Sequence, residues 1–144
     1  MSKTLSFCIL YMLHFPDTQE KIRSEAKAAA EATSEVRLDH LPNMPYTEAF
    51  IMEVQRLASV LPICPPRLVT SDVEIGGYKL YKGQQVQINL YALHRNEEHW
   101  GKDADHFRPQ RFLDDNGKVL HDEWLQPFGY GKFIIYRHFV LPEN

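Results

Sequence analysis

Tyr46-Thr47-Glu48-Ala49-Phe50-Ile51-Met52-Glu53-Val54-Gln55-Arg56-Leu57 sets two opposite charges three residues apart inside an otherwise apolar helical pattern. At that spacing Glu53 and Arg56 share a helix face. Phe50, Val54 and Leu57 recur at intervals of four and three and lay an apolar stripe beside the pair, which predicts that the charges are half-buried against a packed interior. An ordinary exposed pair at the same spacing would also fit these residue types. A buried pair needs further partners, because removing one member typically costs about 3–5 kcal/mol. The candidate third group is Arg111, in Phe107-Arg108-Pro109-Gln110-Arg111-Phe112, where aromatic anchors and a proline flank it.

Upstream of this helix, Leu5 to Phe15 is apolar nearly all round, as a helix inside a larger protein reads. Pro16 to Ala30 is a second, more polar helix, with proline in its first turn, acids early, and Glu/Lys pairs that mark it as exposed. Arg37 to Pro45 is a connector, with Pro45 placed where the next helix tolerates it. Downstream, Leu61-Pro-Ile-Cys-Pro-Pro66 cannot be helical, since its prolines remove donors and push preceding residues to extended geometry. Leu68 to Thr70 and Val73 to Ile75 read as strands. Gly76-Gly77 supplies a two-residue hairpin turn, Tyr78 to Tyr81 returns, and Gln85 to Ile88 alternates as a third strand, giving one small antiparallel sheet. Asn89 to His94 reads as a short helix, and Arg95 to Gln126 is a tract of little periodicity, unusually long for a loop.

The chain has 144 residues, 44% hydrophobic and 24% charged, which fits one globular domain and argues against disorder. A formal charge of −3, from 16 basic and 19 acidic residues without a basic run, offers no reason to expect nucleic acid. The longest apolar run, Leu5 to Leu13, is broken by Ser6 and falls well short of the roughly 20 residues that span a bilayer, so neither an anchor nor a leader is expected in this chain. Cys8 and Cys64 stand in unrelated contexts and read as buried small hydrophobes in a reducing compartment. His94, His99 and His106 share one polar tract, but no spacing places two ligands on a helix turn, so no metal site is predicted from them. Phosphate-loop and nucleophile-elbow motifs are absent.

The order of motifs is more specific than any one of them. Glu53-x-x-Arg56 on a helix, Pro65-Pro66-Arg67 before a strand, Phe107-Arg-Pro-Gln-Arg-Phe112, and Pro127-Phe-Gly-Tyr-Gly-Lys132 together resemble the C-terminal part of the cytochrome P450 superfamily, the haem-thiolate monooxygenases of eukaryotic microsomal type. The resemblance runs from about Leu5 to Lys132 and covers the last third or so of a family member. It implies an α+β fold, mainly helical, with a small antiparallel sheet and a long meander wrapped against the proximal side of a haem. It also implies that Glu53, Arg56 and Arg111 form a structural triad. Arg67 would bind a haem propionate through paired, charge-assisted hydrogen bonds, and Phe128 and Gly131 would belong to the haem-binding loop. Ile63, Cys64 and Pro65 would face the substrate. A small apolar substrate, an electron-donating reductase and the endoplasmic reticulum membrane are implied for the parent protein.

Residues 133–144 depart from that pattern and read as a divergent tail on a domain spanning 1–132. The family's stretch continues through an arginine to the cysteine that ligates the iron. Here Phe133 takes the arginine position, Ile135 the cysteine position and Arg137 that of the following glycine. An isoleucine side chain has no donor atom for iron, and His138 is offset from the ligand position. The chain therefore reads as a C-terminal piece of a monooxygenase that is inactive as it stands. The rival reading is a truncated or mis-spliced fragment that acts, if at all, as a non-catalytic interaction module.

Overall fold

The computed structural model describes residues 2–33 and 35–129. The readings that rest on Gly131, Lys132, Phe133, Ile135, Arg137 and His138, and the boundary at 132, lie outside them. The chain order is helix α1 (Ser2–His14), α2 (Pro16–Thr33), a 3-10 turn (Leu38–Asn43), α3 (Pro45–Ala58), strands β1 (Arg67–Leu68), β2 (Val73–Ile75), β3 (Tyr78–Leu80) and β4 (Gln85–Val86), short helices α4 (Leu90–Leu93) and α5 (Glu97–Trp100), and a 3-10 turn (Pro109–Phe112). This is the expected α+β class.

Helix α3 is the centre. Ala49 and Met52 pack with Trp100, Ala104 and Phe112 on one side. Phe50 and Val54 pack on the other with Cys8, backed by Phe7, Tyr11, Met12, Ile22 and Phe107. A helix buried on two sides shows apolar residues at more than one phase of its period, as this one does. Burying each large apolar side chain contributes about 1.5–3 kcal/mol. Phe107 stacks on Tyr11 at 4.5 Å and on Phe15 at 4.7 Å, and meets Phe50 edge-on at 5.9 Å. Phe112 meets Trp100 at 5.8 Å in the other cluster. The two aromatics that flank Arg111 therefore anchor the meander into separate cores, one on each side of α3.

The start of α3 corrects the reading of α2 as merely exposed. Met44, at the N-cap, has no side-chain acceptor to offer. Glu25 of α2 does the capping instead, accepting from Tyr46 N at 2.8 Å with one oxygen and from Thr47 N at 2.8 Å and Thr47 Oγ1 at 2.6 Å with the other. A carboxylate at a helix N-terminus satisfies orphan donors and complements the helix dipole. Thr18, also on α2, is buried and shares a hydrogen bond of 3.2 Å with Tyr46 Oη. The α1 outer face leaves Leu5, Ile9 and Leu13 exposed, so the all-round apolar helix is covered on one side only.

The small antiparallel sheet expected from four short runs is, among the described residues, two separate antiparallel pairs. β2 and β3 form the Gly76-Gly77 hairpin, in register Val73 to Leu80 and Ile75 to Tyr78. Both glycines have positive φ, +57° and +81°, as the turn demands. β4 turns away and pairs antiparallel with β1, Arg67 opposite Val86. That ladder extends on both sides, with Val69 N donating to Gln84 O at 2.9 Å and Cys64 N to Ile88 O at 2.9 Å. It is interrupted between them at Pro65 and Pro66, which have no N–H to donate. The long tract of little periodicity contains α5 and the Pro109–Phe112 turn, and the Arg37 to Pro45 connector winds into 3-10 geometry over Leu38–Asn43.

Candidate functional site

Glu53 and Arg56 have no solvent-exposed side-chain surface, so the pair is fully rather than half buried. Arg56 Nε donates to Glu53 Oε2 at 2.8 Å and Nη2 to Oε1 at 2.9 Å, a two-point fork on one carboxylate. Arg111, almost as deeply buried, donates Nε to Glu53 Oε1 at 3.0 Å. Arg108 N adds a further donor to Oε1 at 2.9 Å. One carboxylate thus faces two guanidinium groups, and the remaining N–H groups need acceptors in a space without water.

The meander supplies them from its backbone. Arg56 Nη1 donates to His94 O and Ala104 O, both at 2.6 Å. Arg111 Nη1 donates to Trp100 O at 2.9 Å, and its Nη2 to Asp103 O at 3.0 Å and His106 O at 3.3 Å. This explains why the tract carries so little periodicity: carbonyls that would pair within a helix or sheet are committed to the two guanidinium groups. The Asp103 carboxylate lies 3.5 Å from Arg111 Nη2 and 3.0 Å from Arg108 Nε at the surface. Trp100 packs under Arg56, with the guanidinium carbon 5.1 Å from the ring centre.

Arg95, not singled out by the sequence, closes the end of α3. Its Nη2 donates to Leu57 O at 2.5 Å and its Nη1 to Ser59 Oγ at 3.2 Å, and its guanidinium lies 3.9 Å over the Tyr91 ring. Ser59 itself ends the helix in the left-handed conformation, φ 40°. Nothing local in the sequence links it to α3, since Arg95 follows a different short helix, α4.

The meander ends in a turn, Gln126-Pro127-Phe128-Gly129, in which Gly129 N donates to Gln126 O at 3.0 Å. Proline second and glycine fourth are the residues this turn prefers. Gly129 has φ +77°, and a Cβ there would sit 2.9 Å from Cys64 Sγ, so the turn is pressed against Cys64. Cys64 is buried, while Ile63 and Pro65 on either side of it are exposed. Arg67 and Phe128 are both exposed. Arg67 borders an apolar groove of about 390 Å³ with Cys64, Pro65, Leu68, Val86 and Ile88. The structure thus brings the Cys64 to Arg67 segment and the 126–129 turn together, while Glu53, Arg56 and Arg111 form their own cluster behind them.

The histidines have other work. His94 is buried and its Nε2 accepts from Gln126 N at 3.0 Å. Burial, with the Arg56 and Arg95 charges, holds its pKa down at about 4, so the ring is neutral at pH 7. His99 stacks on Trp124 at 4.3 Å and reaches Asp122 at 2.8 Å. His106 offers its backbone carbonyl to both arginines. Among the described residues no three His, Cys, Asp or Glu side chains are grouped to hold a metal ion, and no helix is long and apolar enough to cross a membrane.

A mainly helical α+β fold, a fully buried Glu-Arg-Arg cluster clasped by an aperiodic meander, and a proline-glycine turn seated on a Cys-Pro-Pro-Arg strand define the class. The family described as Cytochrome P450 matches residues 1–133, and the chain belongs to it. It is 41% identical over 133 residues to human cytochrome P450 2U1, covering 92% of this chain and 24% of that protein. It is 37% identical over 132 residues to farnesoate epoxidase of Bombyx mori, covering 92% and 26%, and 38% identical over 130 residues to steroid 17-alpha-hydroxylase/17,20 lyase of Gallus gallus, covering 88% and 25%. The chain spans about a quarter of the length of these relatives.

The family implies a haem. The surroundings present here fit one in part: a side-chain-free Gly129 lets the turn approach the Cys64 strand, and a guanidinium stands at the rim of an apolar groove. Among the described residues neither cysteine is free to serve as an axial donor: Cys8 is buried in the α1/α3 core, where burial pushes its thiol pKa up, and Cys64 is buried under the turn.

Proposed function

We propose that this chain is the haem-cradling C-terminal part of a eukaryotic microsomal-type haem-thiolate monooxygenase, and that as written it has no monooxygenase activity. Bound in the parent protein, the haem iron would supply oxygen activation, inserting one atom of O2 into a small apolar substrate with electrons from a reductase at the endoplasmic reticulum membrane. The observation that carries this reading is the buried cluster of Glu53, Arg56 and Arg111, which ties the meander to α3 over 58 residues of sequence and so sets where the Gln126 to Gly129 turn lies. In this reading Arg67 would pair with a propionate, and Phe128 and Gly131 would belong to the haem-binding loop. Ile63, Cys64 and Pro65 lie on the segment that would face the substrate.

Residues 1–132 form the family domain in this reading, and 133–144 a divergent tail. Loss of activity follows from chemistry rather than shape: electron donation from a cysteine sulfur is what favours oxygen–oxygen cleavage in this family, and Ile135 has none to give. Haem titration of the chain tests both halves. A reduced carbon-monoxide complex with the thiolate-type Soret position, or product formation with a reductase supplied, would overturn the inactivity. Uptake of haem by Ile135→Cys with Phe133→Arg, and not by the chain as written, is the expected result.

The exposed Leu5, Ile9 and Leu13 stripe favours the second reading, a non-catalytic module that associates through apolar surface. Concentration-dependent sedimentation that disappears on Ile9→Glu would support it.

A further inference from the structure

His94 touches both the ion cluster and the turn. Its backbone oxygen accepts from Arg56 Nη1 at 2.6 Å, and its ring Nε2 accepts from Gln126 N at 3.0 Å. Gln126 is the first residue of the turn whose last residue, Gly129, rests on Cys64 Sγ. The turn is therefore held at both ends, by an imidazole on one side and a thiol on the other.

The chemistry of the ring is determined by its partner. An amide N–H can only donate, so Nε2 must be unprotonated, and a neutral imidazole then carries its proton on Nδ1. Nδ1 is buried and has no hydrogen-bond partner among the described residues. Leaving a buried donor unmatched is destabilising, and an apolar side chain of similar shape would avoid it. A ring that solved only a packing problem would not need to be histidine. The single polar bond it makes is to the main chain of the turn.

We propose that His94 is a positioning residue: as the Nδ1–H tautomer it fixes the Gln126 peptide, and with it the Gln126 to Gly129 turn, relative to the Glu53–Arg56–Arg111 cluster. This deepens the proposed function, since in that reading the turn borders the haem pocket, but the contact is testable without haem. Arg56 from α3 and Arg95 beside it are the cations facing the ring, and both favour the neutral form.

The experiment uses the whole 144-residue chain. Long-range 15N–1H spectra of the histidine rings at pH 7 are expected to show His94 as neutral Nδ1–H. Amide exchange at Gln126 is expected to speed up about tenfold in His94→Phe and to return toward the original rate in His94→Gln, whose side-chain oxygen restores an acceptor near the Nε2 position. Exchange at Val54, in the α3 core, serves as the reference. An Nε2–H or doubly protonated ring in the unaltered chain would overturn the proposal, even if His94→Phe fails to fold. So would acceleration at Gln126 no greater than at Val54, which would reduce His94 to general stability. Failure of the functional reading shows differently, as absent haem uptake by the Ile135→Cys, Phe133→Arg chain with the His94 contact intact.

Discussion

Glu53 Oε1 and Arg111 Nε lie 3.0 Å apart across 58 residues of sequence, with the carboxylate fully buried and the guanidinium almost so. The bond joins the central helix to the far side of the meander, and the same oxygen also receives Arg56 and the Arg108 amide.

Removing that carboxylate should therefore be severe. Glu53→Ala leaves two guanidinium groups buried without their acid, and the expected loss is about 3–5 kcal/mol. Glu20→Ala, which breaks an exposed pair with Arg23, is expected to cost under about 1 kcal/mol. Urea unfolding of the two variants side by side checks the contrast, and equal midpoints would contradict it.

Glu25 reaches α3 from another helix, so its effect should appear at a distance from its own position. Glu25→Ala removes the acceptor for Tyr46 N, Thr47 N and Thr47 Oγ1, and is expected to cost about 1–2 kcal/mol, the range of a lost N-cap. Amide exchange should rise at Tyr46 and Thr47 before it rises in α2. Unchanged protection at both amides would show that Glu25 does not cap the helix.

Gly129→Ala combines two faults, a left-handed backbone at φ +77° and a Cβ 2.9 Å from Cys64 Sγ. The expected loss is about 1–3 kcal/mol. Cys64→Ala removes the sulfur but not the backbone strain, so the double variant should recover part of the loss. Strict additivity in that double-mutant cycle would mean that the two residues are not in contact.

Acid should weaken the fold through His94. Its folded pKa of about 4 lies below the ordinary value of 6.5, so the unfolded chain binds the extra proton first. Stability from this group is fully present above pH 6.5, declines as pH falls toward 4, and levels off below that. The decline attributable to His94 is about 3 kcal/mol. Comparing the pH dependence of unfolding with that of His94→Gln isolates it from the other histidines, and parallel curves would contradict the assignment.

The amino-acid sequence by itself determined the helix phases, the Gly76-Gly77 hairpin, and the order of motifs that places the chain in its family. These depend on local rules: period, turn chemistry, and the refusal of Pro65 and Pro66 to donate. Tertiary structure alone decided how deep the Glu53–Arg56 pair lies, since burial depends on the second core that Trp100 and Phe112 build against α3. It also decided that β4 leaves the hairpin for β1, because strand pairing across a loop is set by what the rest of the chain leaves room for. Glu25, Arg95 and His94 carried no local signal of their roles. A carboxylate on a polar helix, a histidine at the end of a short helix and an arginine just after it are ordinary residues in sequence. Each acquired its task only when folding brought orphan backbone groups within 3 Å of it, and backbone N–H and C=O groups leave no trace in a string of side chains.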